Sequence, residues 1–153
     1  MNVSHKLTPR TGSRVIFFSS SLTRASGVTP NYLLYISTKG AIEQMARALA
    51  KDLGGKGINV NTVSPGPIDT DLFRNGKPPQ LIQFFENLHP AKRLGQPEEV
   101  AKAVAFMASE DASWVNGQTL MVNGVRIPSS IFQPQISLTV LARRASRCNV
   151  SDV

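Results

Sequence analysis

Short apolar runs alternate along the chain with longer segments of helical spacing. The run RVIFF opens residues 14–21, is rich in β-branched and aromatic residues and ends at serines, so it predicts a buried strand. Residues 22–32 contain a glycine and a proline and predict a loop. From about Leu33 to Leu53 the apolar residues recur with helical spacing and two glycines follow, which predicts an amphipathic helix.

The second half of the chain continues the same alternation. It predicts a strand at 58–64, a loop at 65–79, helices at 80–88 and 97–109, and a last strand at 118–123. Alternating strands and helices are typical of a parallel sheet covered by crossover helices. Ligands bind such sheets at the carboxyl ends of the strands, where the serines at 19–21 and the Pro65-Gly66 turn are expected to meet.

Composition narrows the class of protein. The 153 residues fit one domain, and 41% hydrophobic with 18% charged residues is ordinary for a soluble globular protein. The net charge of +7 is split between the two ends of the chain around an acidic middle. Because no basic stripe is interleaved with aromatic residues, we expect no nucleic-acid partner.

Targeting and metal signals are weak. No apolar leader and no stretch of about 18 apolar residues is present, so we expect no membrane association and a cytoplasmic location. One cysteine, Cys148, excludes an internal disulfide, and the histidines His5 and His89 lack partners at metal-ligand spacing. The sequence therefore predicts no metal site.

Candidate chemistry begins with YISTK at residues 35–39. Tyr35 and Lys39 are four residues apart, which places them one turn apart on one helix face. A cation within ~4 to 6 Å lowers the pKa of a phenol from about 10 and enables general acid–base catalysis. The alternative is a solvated helix face with a Glu43 to Arg47 pair, since charged residues recur here every fourth position.

The order of further motifs resembles the short-chain dehydrogenase/reductase family over residues 7–124. A strand ending in serines precedes Y-x-x-x-K, and NTVSPGPIDTDL, R-x-G-x-P-E-E-V-A and NGQTLMVNG follow in that order. The resemblance implies an α/β fold, namely the C-terminal part of a Rossmann-like, doubly wound parallel sheet with about three strands. It also implies that residues 1–124 form the C-terminal half of that domain and that residues 125–153 are an unmatched, irregular or disordered tail.

The resemblance also implies catalytic roles. Tyr35 would give the proton to a carbonyl, and Lys39 would assist it and bind the nicotinamide ribose. Ser21 would orient the substrate oxygen, with Ser20 as runner-up, and only one of the three consecutive serines is expected to be catalytic. For Ser19 the alternative is an ordinary hydroxyl at a strand end.

Cofactor and substrate contacts follow from the same resemblance. NADP, or else NAD, would lie beside Pro65, Gly66, Ile68 and Thr70. Glycine and proline suit that turn physically, because proline stiffens it and glycine lets backbone approach a flat ring, although a plain strand-ending turn has the same composition. Apolar residues near the rim suggest a small hydrophobic carbonyl or alcohol as substrate, with core packing as the alternative: they are Leu22, Leu33, Leu34, Leu72 and Phe73.

One part of the family pattern is missing from the sequence. Neither G-x-G-x-x-G nor T-G-x-x-x-G-x-G occurs, and this glycine-rich turn is what cradles a cofactor pyrophosphate at a helix N-terminus. We therefore expect a truncated chain in which the RVIFF strand forms an open apolar edge.

Three functions are compatible with these residues. The first is NAD(P)(H)-dependent reduction of a carbonyl or oxidation of an alcohol. The second is a catalytically silent protein that forms homo-oligomers or pairs with a full-length relative through the helix at 33–53. A serine hydrolase using Ser21 and His89 has little support, because the G-x-S-x-G elbow is absent and His89 is expected to end a helix before Pro90.

Overall fold

The computed structural model describes residues 12–124 as an α/β unit. Its strands are β1 (Arg14–Phe18), β2 (Asn59–Pro65) and β3 (Thr119–Val122), and they form one parallel sheet in the order β1-β2-β3. Its helices are α1 (Leu33–Gly54), α2 (Asp71–Arg74), α3 (Pro79–Leu88) and α4 (Pro97–Ala108). The predicted fold class, a parallel sheet of three strands with crossover helices, is confirmed.

Strand β2 is the centre of the sheet, and its first six residues are buried. Val60 faces α1 and packs with Ala46, Ala50 and Leu53, whereas Val63 faces the opposite side and packs with Met107 of α4. This division follows from the two-residue period of a strand, which sends residues three apart to opposite faces. The two helices thus cover both faces, as a buried parallel strand requires.

Local signals fix the start of α4. Gln96 and Glu99 form a reciprocal capping box, and Pro97 occupies the first turn, where its missing N–H costs nothing. The predicted helix ends at Ala108, one residue before the predicted Ser109.

Strand β1 is shorter than predicted. It ends at Phe18, and the chain turns into a 3₁₀ helix at Ser21–Arg24. The Ser20 hydroxyl accepts a hydrogen bond from the Leu22 N–H at 3.3 Å, so it caps the turn instead of continuing the strand. A second 3₁₀ helix at Pro30–Tyr32 interrupts the predicted loop.

The predicted loop at 65–79 is also partly helical. The Thr70 hydroxyl accepts a hydrogen bond from the Phe73 N–H at 3.1 Å and caps the four-residue helix α2. Arg74 closes this turn against Asp69, with Nη2 and Oδ2 2.8 Å apart. In the sequence, Thr70 followed by Asp71 is a signal for a helix start. The neighbouring prolines led instead to the prediction of a loop.

Strand β1 lies at one edge of the described sheet, and its side chains are half-buried or exposed. The predictions for the tail at 125–153, for Cys148 and for His5 lie outside the described residues. Among residues 12–124, no helix combines the length and apolar character needed to cross a bilayer. The same residues contain no cluster of three metal-ligating side chains.

Candidate active site

The first turns of α1 place Tyr35 and Lys39 together. The Lys39 Nζ atom lies 5.8 Å from the centroid of the Tyr35 ring, so the two side chains share one helix face. Nζ also donates a hydrogen bond to the Phe18 carbonyl oxygen at 3.1 Å, at the carboxyl end of β1. The Tyr35 side chain is half-exposed and meets Tyr32 edge to face, with the ring centroids 6.4 Å apart. Lys39 Nζ thus lies near the Tyr35 ring while it is bonded to the rim of the sheet.

The three consecutive serines have different environments. Ser19 Oγ is buried and lies 2.7 Å from Glu43 Oε1 and 3.1 Å from the Lys39 carbonyl oxygen. Ser20 Oγ caps the 3₁₀ turn, as described above. The Ser21 hydroxyl has no hydrogen-bond partner among residues 12–124, and Ser21 lines a cavity. Of the three, Ser21 is the hydroxyl left available to a ligand.

The interpretation of α1 as a solvated face with a Glu43 to Arg47 pair is wrong. Glu43 is 6% exposed, and its carboxylate lies 3.6 Å from Arg24 Nη2. Arg47 instead donates a hydrogen bond to Gln44 Oε1 at 2.7 Å. One of the charged residues that recur every fourth position on α1 is therefore buried, because Glu43 faces the end of β1.

A cavity of about 400 Å³ opens at the carboxyl end of the sheet, beside Ser21. Leu22 and Ile68, two residues predicted for the site, also line it. Further apolar lining comes from Phe85, Leu88 and Val122, and polar lining comes from His89, Arg93 and Asn123. The cavity is therefore mainly apolar with a few polar groups, as small-molecule sites are.

Several lining residues were missed by the sequence reasoning. Phe85, Leu88 and His89 follow the i, i+3, i+4 spacing of one face at the end of α3, which is a readable signal. His89 Nδ1 accepts a hydrogen bond from the Ala91 N–H at 3.0 Å, so in a neutral ring the proton is on Nε2. Asn123 follows β3 and belongs to the same rim as Ser21, as strand order dictates.

Other predicted contacts lie elsewhere. Neither Tyr35 nor Leu72 nor Phe73 lines this cavity. Leu72 is 86% exposed, and Phe73 packs edge to face on Phe85, with ring centroids 5.4 Å apart. Leu33 and Leu34 are strongly exposed. A substrate role for Leu72 and Phe73 stays a prediction.

Gly66 has a structural reason for being a glycine. Its N–H donates to the Val122 carbonyl oxygen at 3.0 Å, and an added Cβ would lie 2.8 Å from the Cβ of Asn123. The sequence interpretation explained this glycine by close approach of backbone to a flat ring. In the structure, Gly66 lies close to Val122 at the end of β3 and to Asn123, which follows it.

Ile68 presents free backbone groups next to the cavity. Gly95 donates to the Pro67 carbonyl and accepts from the Asp69 N–H, so the N–H and C=O of Ile68 take no part in this bridge. Neither group has a hydrogen-bond partner among residues 12–124. A primary carboxamide has a carbonyl acceptor and an NH₂ donor group that match them.

Two ion pairs lie beside Ile68 and the cavity. Arg93 and Glu99 form a bidentate pair, with both N–O distances 2.7 Å. The Arg93 hydrogen bonds, helped by the Gln96 backbone N–H, lower the pKa of Glu99 from 4.5 to about 2. Arg74 likewise lowers the pKa of Asp69 through its hydrogen bonds.

Comparison with known proteins shows the family of the chain. The family model described as enoyl-(acyl carrier protein) reductase matches residues 1–124. A "Short-chain type dehydrogenase/reductase" from Picea abies is 42% identical over 116 residues. The chain belongs to the short-chain dehydrogenase/reductase family. This confirms the family resemblance of the sequence motifs.

The similar proteins are reductases, and the chain spans less than half of each. The Arabidopsis thaliana "NADPH-dependent aldehyde reductase-like protein, chloroplastic" is 40% identical, over 79% of this chain and 44% of that protein. The Picea abies protein is matched over 76% of this chain and 42% of its own length. Among solved structures, the angucycline C-6 ketoreductase LanV with bound NADP has a TM-score of 0.68 and 36% identity, over 75% of this chain and 44% of LanV.

Proposed function

We propose that residues 1–124 supply the catalytic and substrate-binding half of an NAD(P)(H)-dependent carbonyl reductase or alcohol dehydrogenase. The observation that carries this proposal is the position of Lys39 Nζ, 5.8 Å from the Tyr35 ring centroid and hydrogen-bonded to the rim carbonyl of Phe18. Tyr35 gives its proton to the substrate oxygen, with the Lys39 ammonium group beside its ring. Ser21, whose hydroxyl has no partner among residues 12–124, orients that oxygen from the cavity that it lines.

The backbone of Ile68 supports a nicotinamide cofactor. Its N–H and C=O, which have no partner among residues 12–124, would hold the carboxamide, while Pro65 and Gly66 shape the turn and Thr70 caps the helix that follows. Lys39 would add a donor for the ribose hydroxyls. The bound cofactor would supply a hydride to, or accept one from, the substrate carbon. NADP is proposed ahead of NAD, since similar proteins are described as NADPH-dependent or contain bound NADP.

The cavity suggests the substrate class. Leu22, Phe85 and Val122 form an apolar wall, which suits a small hydrophobic carbonyl or alcohol. A cytoplasmic location stays a prediction, and two of the similar plant proteins are described as chloroplastic.

The test is complementation of the cofactor half. The 153-residue chain is produced alone and together with the part of the Picea abies relative that it does not match, and NADPH oxidation is followed with a small aromatic ketone. We expect turnover in the combination. Absence of turnover with every carbonyl tried, in a folded combination that binds NADPH, would contradict the proposal.

Exposed apolar side chains on α1 favour a second candidate, a silent partner of a relative or of a second copy. Leu33, Leu34 and Met45 are 68%, 78% and 45% exposed. Such a surface is typical of an interaction site. Co-purification of the chain with the full-length relative, without any effect of Tyr35→Phe on turnover of the mixture, would favour this function over catalysis by the chain itself.

A further inference from the structure

Glu43 is a buried carboxylate for which the proposed reaction has no use. It lies one helical turn after Lys39 on α1 and is 6% exposed. A buried charge is costly unless it is paired and hydrogen-bonded, so its partners indicate why it is there. Each of those partners belongs to an element that meets the active site.

The carboxylate binds the segment that carries Ser21. Glu43 Oε1 accepts hydrogen bonds at 2.7 Å from the hydroxyl of Ser19 and at 2.7 Å from the hydroxyl of Thr23. These two residues lie on either side of Ser21, each two positions away. Oε2 lies 3.6 Å from Nη2 of Arg24, at the end of the same 3₁₀ turn.

The same group is tied to the sheet and to the lysine. Ser64 Oγ of the central strand lies 3.4 Å from Glu43 Oε1. Ser19 Oγ, besides its bond to Glu43, lies 3.1 Å from the carbonyl oxygen of Lys39. The turn that presents Ser21 and the helix that presents Lys39 are therefore held together by one carboxylate.

We propose that Glu43 is a positioning residue, which fixes the Ser21 turn relative to Tyr35 and Lys39 through its bonds to Ser19 and Thr23. The inference rests on the proposed function for its catalytic consequence, although the structural link stands without it. A hydroxyl displaced by about 1 Å from its productive position costs on the order of 100-fold in rate. Substrate affinity depends mainly on the apolar wall of the cavity, which Glu43 does not line.

The test uses two variants and one matched control. Glu43→Gln keeps the shape, removes the charge and is the deciding variant. Thr23→Val keeps the side-chain volume and removes the hydroxyl that lies 2.7 Å from Glu43 Oε1 and 2.9 Å from the Ser20 carbonyl oxygen. Glu98→Gln changes an exposed carboxylate on α4 and serves as the control.

The first measurement needs no catalysis. Hydrogen–deuterium exchange on the 153-residue chain follows the N–H groups of Thr23 and Ala25, which close the turn through Ser20 and Leu22 carbonyls at 3.1 and 3.2 Å. Weakening or loss of a hydrogen bond to a charged acceptor should speed their exchange by about tenfold in Glu43→Gln and Thr23→Val. Their exchange should be unchanged in Glu98→Gln. Exchange in α4 should stay unchanged. Unchanged exchange at both amides, or an equal increase throughout α4, would overturn the positioning role.

The second measurement is made on the active combination with the cofactor half. We expect kcat to fall roughly 10-fold to 100-fold in Glu43→Gln while KM stays within about twofold, because positioning acts on the reacting geometry. An unchanged kcat in a combination that turns over would overturn the inference. If the unmodified combination folds and binds NADPH but is inactive with every carbonyl tried, the proposed function fails, and the exchange measurement still decides whether Glu43 holds the turn.

Discussion

Gly66→Ala tests the packing of the sheet at the point where the site is built. Gly66 follows β2, and its φ is not in the left-handed region, so its need for glycine is spatial. An added Cβ would lie 2.8 Å from the Cβ and 2.9 Å from the Cα of Asn123. Carbon atoms in contact prefer about 3.5 to 4.0 Å, so the end of β3 must move away by roughly 0.7 Å or more.

The cost follows from that displacement. Overpacking of this kind destabilises a protein by about 1 to 3 kcal/mol. The displacement also stretches the 3.0 Å hydrogen bond from Gly66 N–H to the Val122 carbonyl, which is worth about 1 kcal/mol. We therefore expect Gly66→Ala to lower the free energy of unfolding by about 2 to 4 kcal/mol.

Urea unfolding of the 153-residue chain, followed by circular dichroism, measures this change. The matched control is Gly40→Ala in α1, where no atom lies within 4 Å of an added Cβ. Alanine is favoured over glycine inside a helix by roughly 0.5 to 1 kcal/mol, so the control should be more stable than the parent. If Gly66→Ala unfolds at the parent's urea concentration while Gly40→Ala is stabilised, the close approach of β2 and β3 is wrong.

Three further predictions address other parts of the structure. Leu53→Ala should cost about 2 to 5 kcal/mol in urea unfolding, since Leu53 is 0% exposed, whereas Leu72→Ala, at 86% exposed, should stay within about 0.5 kcal/mol. Asn61→Leu should cost about 1 to 3 kcal/mol, because it removes the partly buried bonds of 2.7 Å to the Val115 carbonyl, which Asn59 also contacts, and of 2.9 Å from the Gln118 N–H; an unchanged midpoint would refute those bonds. In an NMR titration Glu99 should ionise with a pKa of about 2, and Arg93→Gln should return that pKa toward 4.5. Because the folded-state pKa is lowered, the stabilisation by this pair is present above about pH 4.5 and is lost as the pH falls through about 2; a pKa near 4.5 in the parent chain would contradict the pairing.

Hydrophobic patterning predicted the main elements because the helices and strands of this fold are amphipathic or continuously apolar. The bounds of α1 and β2 differ from the prediction by only a residue, since glycines and prolines end these segments. The early end of β1 was not predicted, because the bond from the Leu22 N–H to the Ser20 hydroxyl is a local one that competes with strand formation. Helix α2 was not predicted either, because its four residues are too few to show a period.

For the site, the order of motifs indicated the family. The sequence did not show which of several neighbouring polar residues is available to a ligand. Tyr35 and Lys39 share a face because helical geometry requires it. Which serine is free depends on tertiary partners, since Glu43 binds Ser19 and only Ser21 opens onto the cavity. The buried position of Glu43 could not be predicted from its repeat of charges, because burial is decided by the strand end that α1 crosses.

The most direct test of the catalytic account compares Tyr35→Phe with Tyr32→Phe in the combination that restores the cofactor half. Both changes remove one phenol oxygen from rings whose centroids are 6.4 Å apart. Among the lysines of residues 12–124, one has its ammonium group over the Tyr35 ring, at 5.8 Å from the centroid, and none lies over Tyr32. Loss of a general acid should lower kcat by about 100-fold to 10,000-fold in Tyr35→Phe, with little change in Tyr32→Phe. Full NADPH-dependent turnover by Tyr35→Phe would contradict the account.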